Sequence, residues 1–390
     1  MTMLPTVRLL ADDLTGALDT AAELVRLTGP IQVFWHGAIP SRLPANAAFD
    51  SGTRELGPVD AAALATGLAR LMDGADIAYK KIDSLLRGPT LAEIAALLRA
   101  GPWQHCLLAP AFPYQGRATR GGRQYAREAT GGWSDVSGDI IAALRALGVE
   151  AYAGDLGERL PLGVSVFDAE TDADLRAVAQ AARRAPGTVL WCGGGGLAQA
   201  LAFEAARGDP GVSVAPEDAE TTYGATLPRP ILGLFGSDQS ATAAQLAACG
   251  AYWIRLPYCD RPDAARLARC LHENGVALAS FDLPPGLTRD AAAECIRLGI
   301  GGLLRELDLP GTLVAAGGET LRGICQALGA ESLEVQGRIV PGLPRSMLSG
   351  GPWHGVAVIS KSGAFGPPSL LRDLLSAHLD SKQHTVEGTS

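Results

Sequence analysis

Lysine is nearly missing from this chain. Only Lys80, Lys81, Lys361 and Lys382 occur among 33 basic residues, and arginine supplies the other 29. A sequence that uses arginine wherever any cation serves keeps a lysine where a compact point charge is needed. Lys382 lies in a polar tail, but the other three fall in distinctive segments. Aromatic residues make up 5% of the 390 positions, and acidic residues outnumber basic ones to give a formal charge of −8. With no basic helix and no aromatic-rich sheet, a nucleic-acid module is excluded, although a local basic cleft for a small anion is not.

Other chemistries fail for want of their residues. The seven cysteines are scattered and never form Cys-x-x-Cys, so neither a disulfide framework nor a structural zinc site is expected; small buried hydrophobes in a reducing cytoplasm are. No His-Glu-x-x-His, Gly-x-Ser-x-Gly, His-Arg-Asp or Asp-Phe-Gly occurs, which removes zinc proteases, serine hydrolases and protein kinases. The first residues lack a signal-peptide pattern. The one uncharged run of membrane length, 186–203, is split by four glycines, Gly193 to Gly196, so a transmembrane span is rejected. A cytoplasmic, membrane-free protein is expected.

What is present is a rhythm of short apolar strand, Gly- or Pro-containing loop and Ala/Leu-rich helix. Strands are expected at 7–10, 76–82, 105–109, 189–192, 231–235, 312–316 and 356–360. Helices are expected from 14, over 90–99, 197–206 and 241–249, to 328, and over 367–378, the last opening on Pro367. The pattern predicts an α/β fold of two domains with largely parallel sheets flanked by helices. A Pro-, Gly- and acid-rich stretch, 207–228, reads as a linker. The expected division is a first domain over 1–228, a second over 229–380, and a disordered tail over 381–390.

Ligands of open parallel sheets sit beyond the carboxyl ends of the strands. At those ends stand Asp12-Asp13, either of which could orient a hydroxyl, or hold Mg²⁺ through water, while Asp13 could equally be a helix N-cap. Ser51-Gly52-Thr53-Arg54 adds a cation. Lys80-Lys81-Ile82-Asp83-Ser84-Leu85-Leu86-Arg87-Gly88 gathers three cations and an acid around one loop, which suits a carboxylate or phosphate, with Asp83 able to accept a hydroxyl proton. A further segment ends in Arg117. The second half instead repeats Gly/Ser turns between strand and helix: Gly236-Ser237-Asp238-Gln239-Ser240, Gly317-Gly318-Glu319-Thr320 and Lys361-Ser362-Gly363. Such turns let backbone N–H groups approach a nucleotide phosphate. Residues 355–362 nearly match a P-loop, but Ser360 replaces its second glycine, so a Walker motif is rejected. Gly193-x-Gly195-x-x-Ala198 is read as close helix–strand packing or a local anion contact.

Taken in order, ADDLTGALD (11–19), KKIDSLLRG (80–88), APAFPYQGR (109–117), GSDQSAT (236–242), AGGET (316–320) and KSGAFG (361–366) resemble the four-carbon acid sugar kinase family, DUF1537. The resemblance implies an N-terminal domain for a sugar acid, a C-terminal domain for ATP, an active site in the cleft between them, and transfer of the γ-phosphate to a hydroxyl of a tetronate-like acid. It implies that Asp12 or Asp13, Arg54 and the stretch Lys80 to Ser84, Ile82 included, contact the acid. Ser237 or Ser240, Gly317, Gly318, Glu319, Thr320, Ser362 and Gly363 would contact nucleotide. Asp83 is expected as the base, with Lys80, Lys81, Arg87 and Lys361 as charge stabilisers. ATP and Mg²⁺ are the expected cofactors; the Mg²⁺ ligands and a homo-oligomeric state are left open. The chain departs from the family pattern at Leu85, Pro89 and Arg123. Arg123 adds a cation to the acid domain, which suits a longer or dicarboxylic hydroxy acid as an alternative substrate; a binding-only sensor of acid and nucleotide is the other alternative.

Overall fold

In a computed structural model the chain divides into two compact units, Met1–Pro216 and Glu217–Ser390. The structure describes residues 4–35, 39–128, 130–183, 185–207, 227–236, 239–257, 264–284 and 286–379. The expected tail, most of the expected linker, and Ser237 with Asp238 lie outside the described residues.

The first unit carries strands β1 (Val7–Ala11), β2 (Ile31–Trp35), β3 (Ala47–Asp50), β4 (Ile77–Lys81), β5 (His105–Ala109), β6 (Arg117–Arg120), β7 (Arg123–Arg127), β8 (Trp133–Asp135), β9 (Ala151–Ala153), β10 (Gly163–Val166) and β11 (Val189–Gly193). Its helices are α1 (Leu14–Thr28), α2 (Pro58–Leu68), α3 (Thr90–Ala100), α4 (Ile140–Ala146), α5 (Asp172–Ala182) and α6 (Gly195–Arg207). Eight strands form a parallel sheet in the order β2-β3-β1-β4-β11-β5-β10-β9. The central strands are apolar runs because both faces are covered by helices. One large core gathers Leu10, Phe49, Ala78, Ile82, Ile94, Leu97 and Leu108. Strands β6, β7 and β8 pair separately as a small antiparallel sheet, which the strand–helix rhythm does not predict.

The second unit carries β12 (Ile231–Phe235), β13 (Trp253–Pro257), β14 (Val276–Asp282), β15 (Thr312–Ala316), β16 (Ser332–Arg338), β17 (Pro344–Ser349) and β18 (Ala357–Lys361). Its helices are α7 (Ser240–Ala247), α8 (Ala264–Asn274), α9 (Arg289–Glu306), α10 (Gly318–Ala327) and α11 (Leu370–Leu379). The strand order is β13-β14-β12-β15-β18-β17-β16, parallel from β13 to β18, with β17 and β16 antiparallel. A second core holds Ile231, Phe235, Leu278, Val314, Ile359 and Leu371. One expectation is corrected: Pro367 does not open the last helix. Leu370 N–H closes a turn onto Pro367 O at 3.0 Å, and α11 begins at Leu370. The described residues contain no helix long and apolar enough to cross a membrane.

Candidate active site

In the first unit the connections run to β2 and β3 on one side of β1 and to β4 on the other, so the switch point lies at the carboxyl ends of β1 and β4. Ala11 aligns with Asp50 on one side and Lys81 on the other. The next residues, Asp12, Ser51 and Ile82, therefore leave the sheet together. Ser51 N–H donates to Ala11 O at 2.9 Å, and Arg54 N–H to Asp12 O at 3.3 Å, which folds the 51–54 turn over the end of β1.

Arg54 is the hub of what collects there. Its Nε and Nη2 each donate to Asp12 at 2.8 Å, Nη1 donates to Asp13 Oδ2 at 2.7 Å, and Nη2 lies 3.9 Å from Asp83 Oδ1. A guanidinium shared by three carboxylates is fixed in plane and direction. Burial acts to lower Arg54, but Asp12, Asp13 and Asp83 raise it above its ordinary value. Burial likewise pushes Asp12 up, and the charge and hydrogen bonds of Arg54, with Lys81 and Lys80 behind, pull it below the usual carboxylate range. Asp13 holds Arg54 and also caps α1, accepting from Gly16 N–H at 2.8 Å, so the N-cap reading of Asp13 is realised.

Asp83 is gripped by Arg87, through Nε at 2.6 Å, Nη2 at 2.8 Å and the backbone N–H at 3.2 Å. Burial raises its carboxyl, but the Arg87 hydrogen bonds and the charges of Arg54 and Lys81 hold it down at about 2. The Arg87 side chain is 61% exposed, so it can leave without unpacking the core. The loop that presents this pair is under strain. Leu86 adopts φ 54°, a left-handed conformation unusual for a branched residue. Arg117 carries its charge to the same place, interacting with Asp83 and Arg87; burial lowers its own value. Its Nε is buried with no partner. Lys81, 7% exposed, sits beside Gly16: a Cβ there would come 3.0 Å from Lys81 Nζ and 2.5 Å from Asp13 Oδ1. Four cations (Arg54, Lys81, Arg87, Arg117) thus face three carboxylates (Asp12, Asp13, Asp83), with Asp50 buried at the end of the neighbouring β3.

Three expected site residues are placed elsewhere. Strand alternation sends Lys80 to the opposite face from Lys81. There it is fully buried and donates to Glu93 Oε1 at 2.8 Å; the same oxygen accepts from Thr53 Oγ1 at 2.6 Å, and Thr53 meets Ser51 at 2.8 Å. Lys80 therefore supports the turn that carries Arg54 instead of facing a ligand. Ile82 is a core residue whose N–H pairs with Gly193 O. Arg123 does not add a cation to the cluster: it pairs with Asp135 at 2.7 Å on half-exposed β7. Ser84 lies near the cluster and offers its carbonyl to Gln124 Nε2 at 2.8 Å.

In the second unit the switch point falls between β12 and β15. Gly236 follows β12 with Thr320 Oγ1 so close that a Cβ would meet it at 2.7 Å. Gly317 adopts φ 91° and donates to Lys361 O at 2.9 Å, and α10 starts at Gly318. Thr320 is nearly buried, and the exposed Glu319 pairs with Arg322 at 3.1 Å. Ser240, the first residue of α7, and Ser362 are exposed, and Gly363 is buried. Lys361 is not free to reach outward. It is 1% exposed, and its ammonium donates to Thr242 Oγ1 at 3.1 Å and to the carbonyls of Ser362, Gly363 and Phe365 at 3.0, 3.2 and 3.3 Å. Burial lowers it to about 8. Among the described residues no group of three or more His, Cys, Asp or Glu could hold a metal ion.

Sequence reasoning missed Glu93, Gln124, Thr242 and Gln245. A lone acid among the apolar residues of Thr90–Ala100 was a readable signal for Glu93; the others carry none that a single sequence makes visible.

Comparison with known proteins agrees with the division seen in the fold. Residues 7–145 and 138–201 match a sugar-binding N-terminal domain, and residues 232–371 a nucleotide-binding C-terminal domain. The chain is 30% identical to the D-threonate kinase of Cupriavidus necator, over 96% of this chain and 98% of that one. It is 29% identical to the 3-oxo-tetronate kinase of Pseudomonas fluorescens, over 93% and 94%. A solved DUF1537 protein of Haemophilus influenzae shares the fold, with a TM-score of 0.67 at 18% identity, over 95% of this chain and all of that one. The chain belongs to the four-carbon acid sugar kinase family.

Proposed function

We propose that the protein is an ATP-dependent kinase that phosphorylates a hydroxyl of a four-carbon, tetronate-like acid. The observation that carries this reading is the cluster at the ends of β1 and β4: cations fixed by carboxylates that can also receive hydroxyl hydrogen bonds. Residues 1–228 hold the acid and 229–380 the nucleotide, in the cytoplasm. Arg54, Lys81 and Arg117 bind the acid's carboxylate; Asp12 and Asp13 orient Arg54 and the hydroxyls. The pairing of Arg123 with Asp135 removes the cation that favoured a dicarboxylate, which leaves the monocarboxylate as the better match.

Asp83 orients the accepting hydroxyl and takes its proton. With Arg87 in place it is a poor base, so proton transfer follows the turning of Arg87 toward the transferring phosphoryl group, whose charge it then neutralises. Phosphoryl transfer through a loose transition state needs little push from the base, and positioning with charge neutralisation does most of the catalysis. Ser240, Gly317, Gly318, Glu319, Thr320, Ser362 and Gly363 surround the nucleotide. Mg²⁺ bound with ATP would supply charge neutralisation at the triphosphate.

The test is ADP release from Mg·ATP across a panel of D- and L-tetronates, 3-oxo-tetronates and longer or dicarboxylic hydroxy acids. Turnover with a four-carbon monocarboxylate is expected. Binding of acid and ATP without ADP formation would make the protein a sensor, and preference for a dicarboxylate would overturn the charge argument.

A further inference from the structure

Lys361 raises a question that the proposed kinase reading leaves unanswered. A buried ammonium ordinarily faces a carboxylate, because an unpaired buried charge is costly. This one faces four neutral oxygens and, among the described residues, no acid within ion-pair distance. Three of those oxygens are carbonyls of the turn that follows β18. The fourth, Thr242 Oγ1, is itself anchored to that turn by donating to Gly363 O at 2.7 Å. The next turn of α7 continues the grip: Gln245 Nε2 donates to the carbonyls of Phe365, Gly366 and Pro367 at 2.9, 3.1 and 3.0 Å. A shell of carbonyl and hydroxyl oxygens at about 3 Å is what a dehydrated potassium or ammonium ion takes. Here the ion is tied to the chain.

The inward carbonyls have a consequence on the other side of the turn. In a trans peptide the C=O and the following N–H point in opposite directions. The only cis bond among the described residues is Arg229–Pro230. With the carbonyls of Ser362, Gly363 and Phe365 turned onto Lys361, the N–H groups of Gly363, Ala364 and Gly366 are turned away from it. None of the three donates to any described group. Between them Phe365 N–H turns back onto Ser362 O at 3.0 Å and closes the turn, and free N–H groups on such a turn form a concavity for an anion. A positive charge directly behind the carbonyls polarises those same peptides in the favourable sense.

We propose that Lys361 is a positioning residue acting as a built-in monovalent cation: it draws the carbonyls of Ser362, Gly363 and Phe365 inward and so presents the N–H groups of Gly363, Ala364 and Gly366 to a nucleotide phosphate, without touching the phosphate itself. This rests on the reading that the second unit binds nucleotide. It follows that the role can be transferred to a free ion once the side chain is shortened. A phosphate-contacting lysine would not behave so, since K⁺ in the carbonyl cage adds no hydrogen bond to the ligand.

The experiment is calorimetric titration of the full chain with ADP, for wild type, Lys361→Ala and Lys361→Met, in tetramethylammonium, lithium, potassium and ammonium chloride at equal ionic strength. Wild type should bind equally in all four salts; failure of wild type to bind ADP at all would remove the nucleotide reading itself. Lys361→Ala should bind about ten- to hundredfold more weakly in tetramethylammonium and recover in potassium or ammonium but not in lithium. Lys361→Met fills the space with an apolar chain, so it should be weak in every salt. Should Lys361→Ala not fold in tetramethylammonium, its folding, followed by circular dichroism, should show the same ion selectivity. Unchanged affinity in either variant, or a loss in Lys361→Ala that no cation or every cation relieves, would overturn the proposal.

Discussion

Gly88 adopts φ 78°, and a methyl group there would stand 2.6 Å from the carbonyl oxygen of Arg54. The contact is backbone on one side and forbidden φ on the other, so neither can yield cheaply. Gly88→Ala should move the Arg54 turn and raise KM for the acid by about ten- to hundredfold, the kinetic equivalent of 1–3 kcal/mol of strain, while ADP affinity stays unchanged. Asp83 gives a prediction in pH. Its folded value of about 2 lies below the ordinary carboxylate value. It therefore adds stability that is full above pH ~4 and is lost as pH falls toward 2. Arg87→Ala removes the hydrogen bonds that hold it down and leaves burial, which raises it, opposed only by the charges of Arg54 and Lys81. The acidic limb of the kcat/KM profile should then move to higher pH in Arg87→Ala, and a profile superimposable on wild type would show that Asp83 is not the titrating group.

At the scale of elements, the buried pair of Lys80 on β4 and Glu93 on α3 ties a strand, a helix and the Arg54 turn together. Glu93→Gln leaves a buried ammonium without its carboxylate and should cost about 3–5 kcal/mol in denaturant unfolding, most of which the double variant Lys80→Met/Glu93→Leu should restore. These elements also show what a sequence can and cannot display. Strands 105–109, 231–235 and 312–316 are legible to the residue, because a strand covered on both faces is a short apolar run bounded by turn residues. Strands β6 to β8, with sequences RATR, RQYAR and WSD, are not. Their buried residues, Ala118, Thr119 and Gln124, are small or polar and stand among arginines, so no apolar periodicity marks the strands. The candidate site was legible in the same uneven way. Lys80 and Lys81 stood out together by rarity, but rarity does not say which face a side chain takes. The sheet decides that Lys81 meets the site and Lys80 the core, just as tertiary pairing alone decides that Arg123 belongs to Asp135.

For the whole molecule, each unit has a sheet, a switch point and a core of its own, so each ligand should leave its mark on one unit. In native-state hydrogen exchange, ADP should slow the amides of 362–366 and α10, and a tetronate those of 51–54 and 82–88, because binding closes the local openings through which exchange occurs. Rising pH offers a second check on Lys361. It loses its proton near 8 in the folded chain but only at its higher ordinary value when unfolded, so its contribution to stability grows through that window. ADP affinity should fall over the same range, the opposite direction.

The scarcity of lysine also turns the protein into its own reporter. Lys80 and Lys361 have almost no exposed side chain, and one lies in each unit. A reagent that acylates amines can reach them only when the surrounding strands and turns part. Brief labelling followed by peptide mass measurement would therefore time the opening of the two halves separately, with no engineered probe and almost no competing background from the arginine-rich exterior.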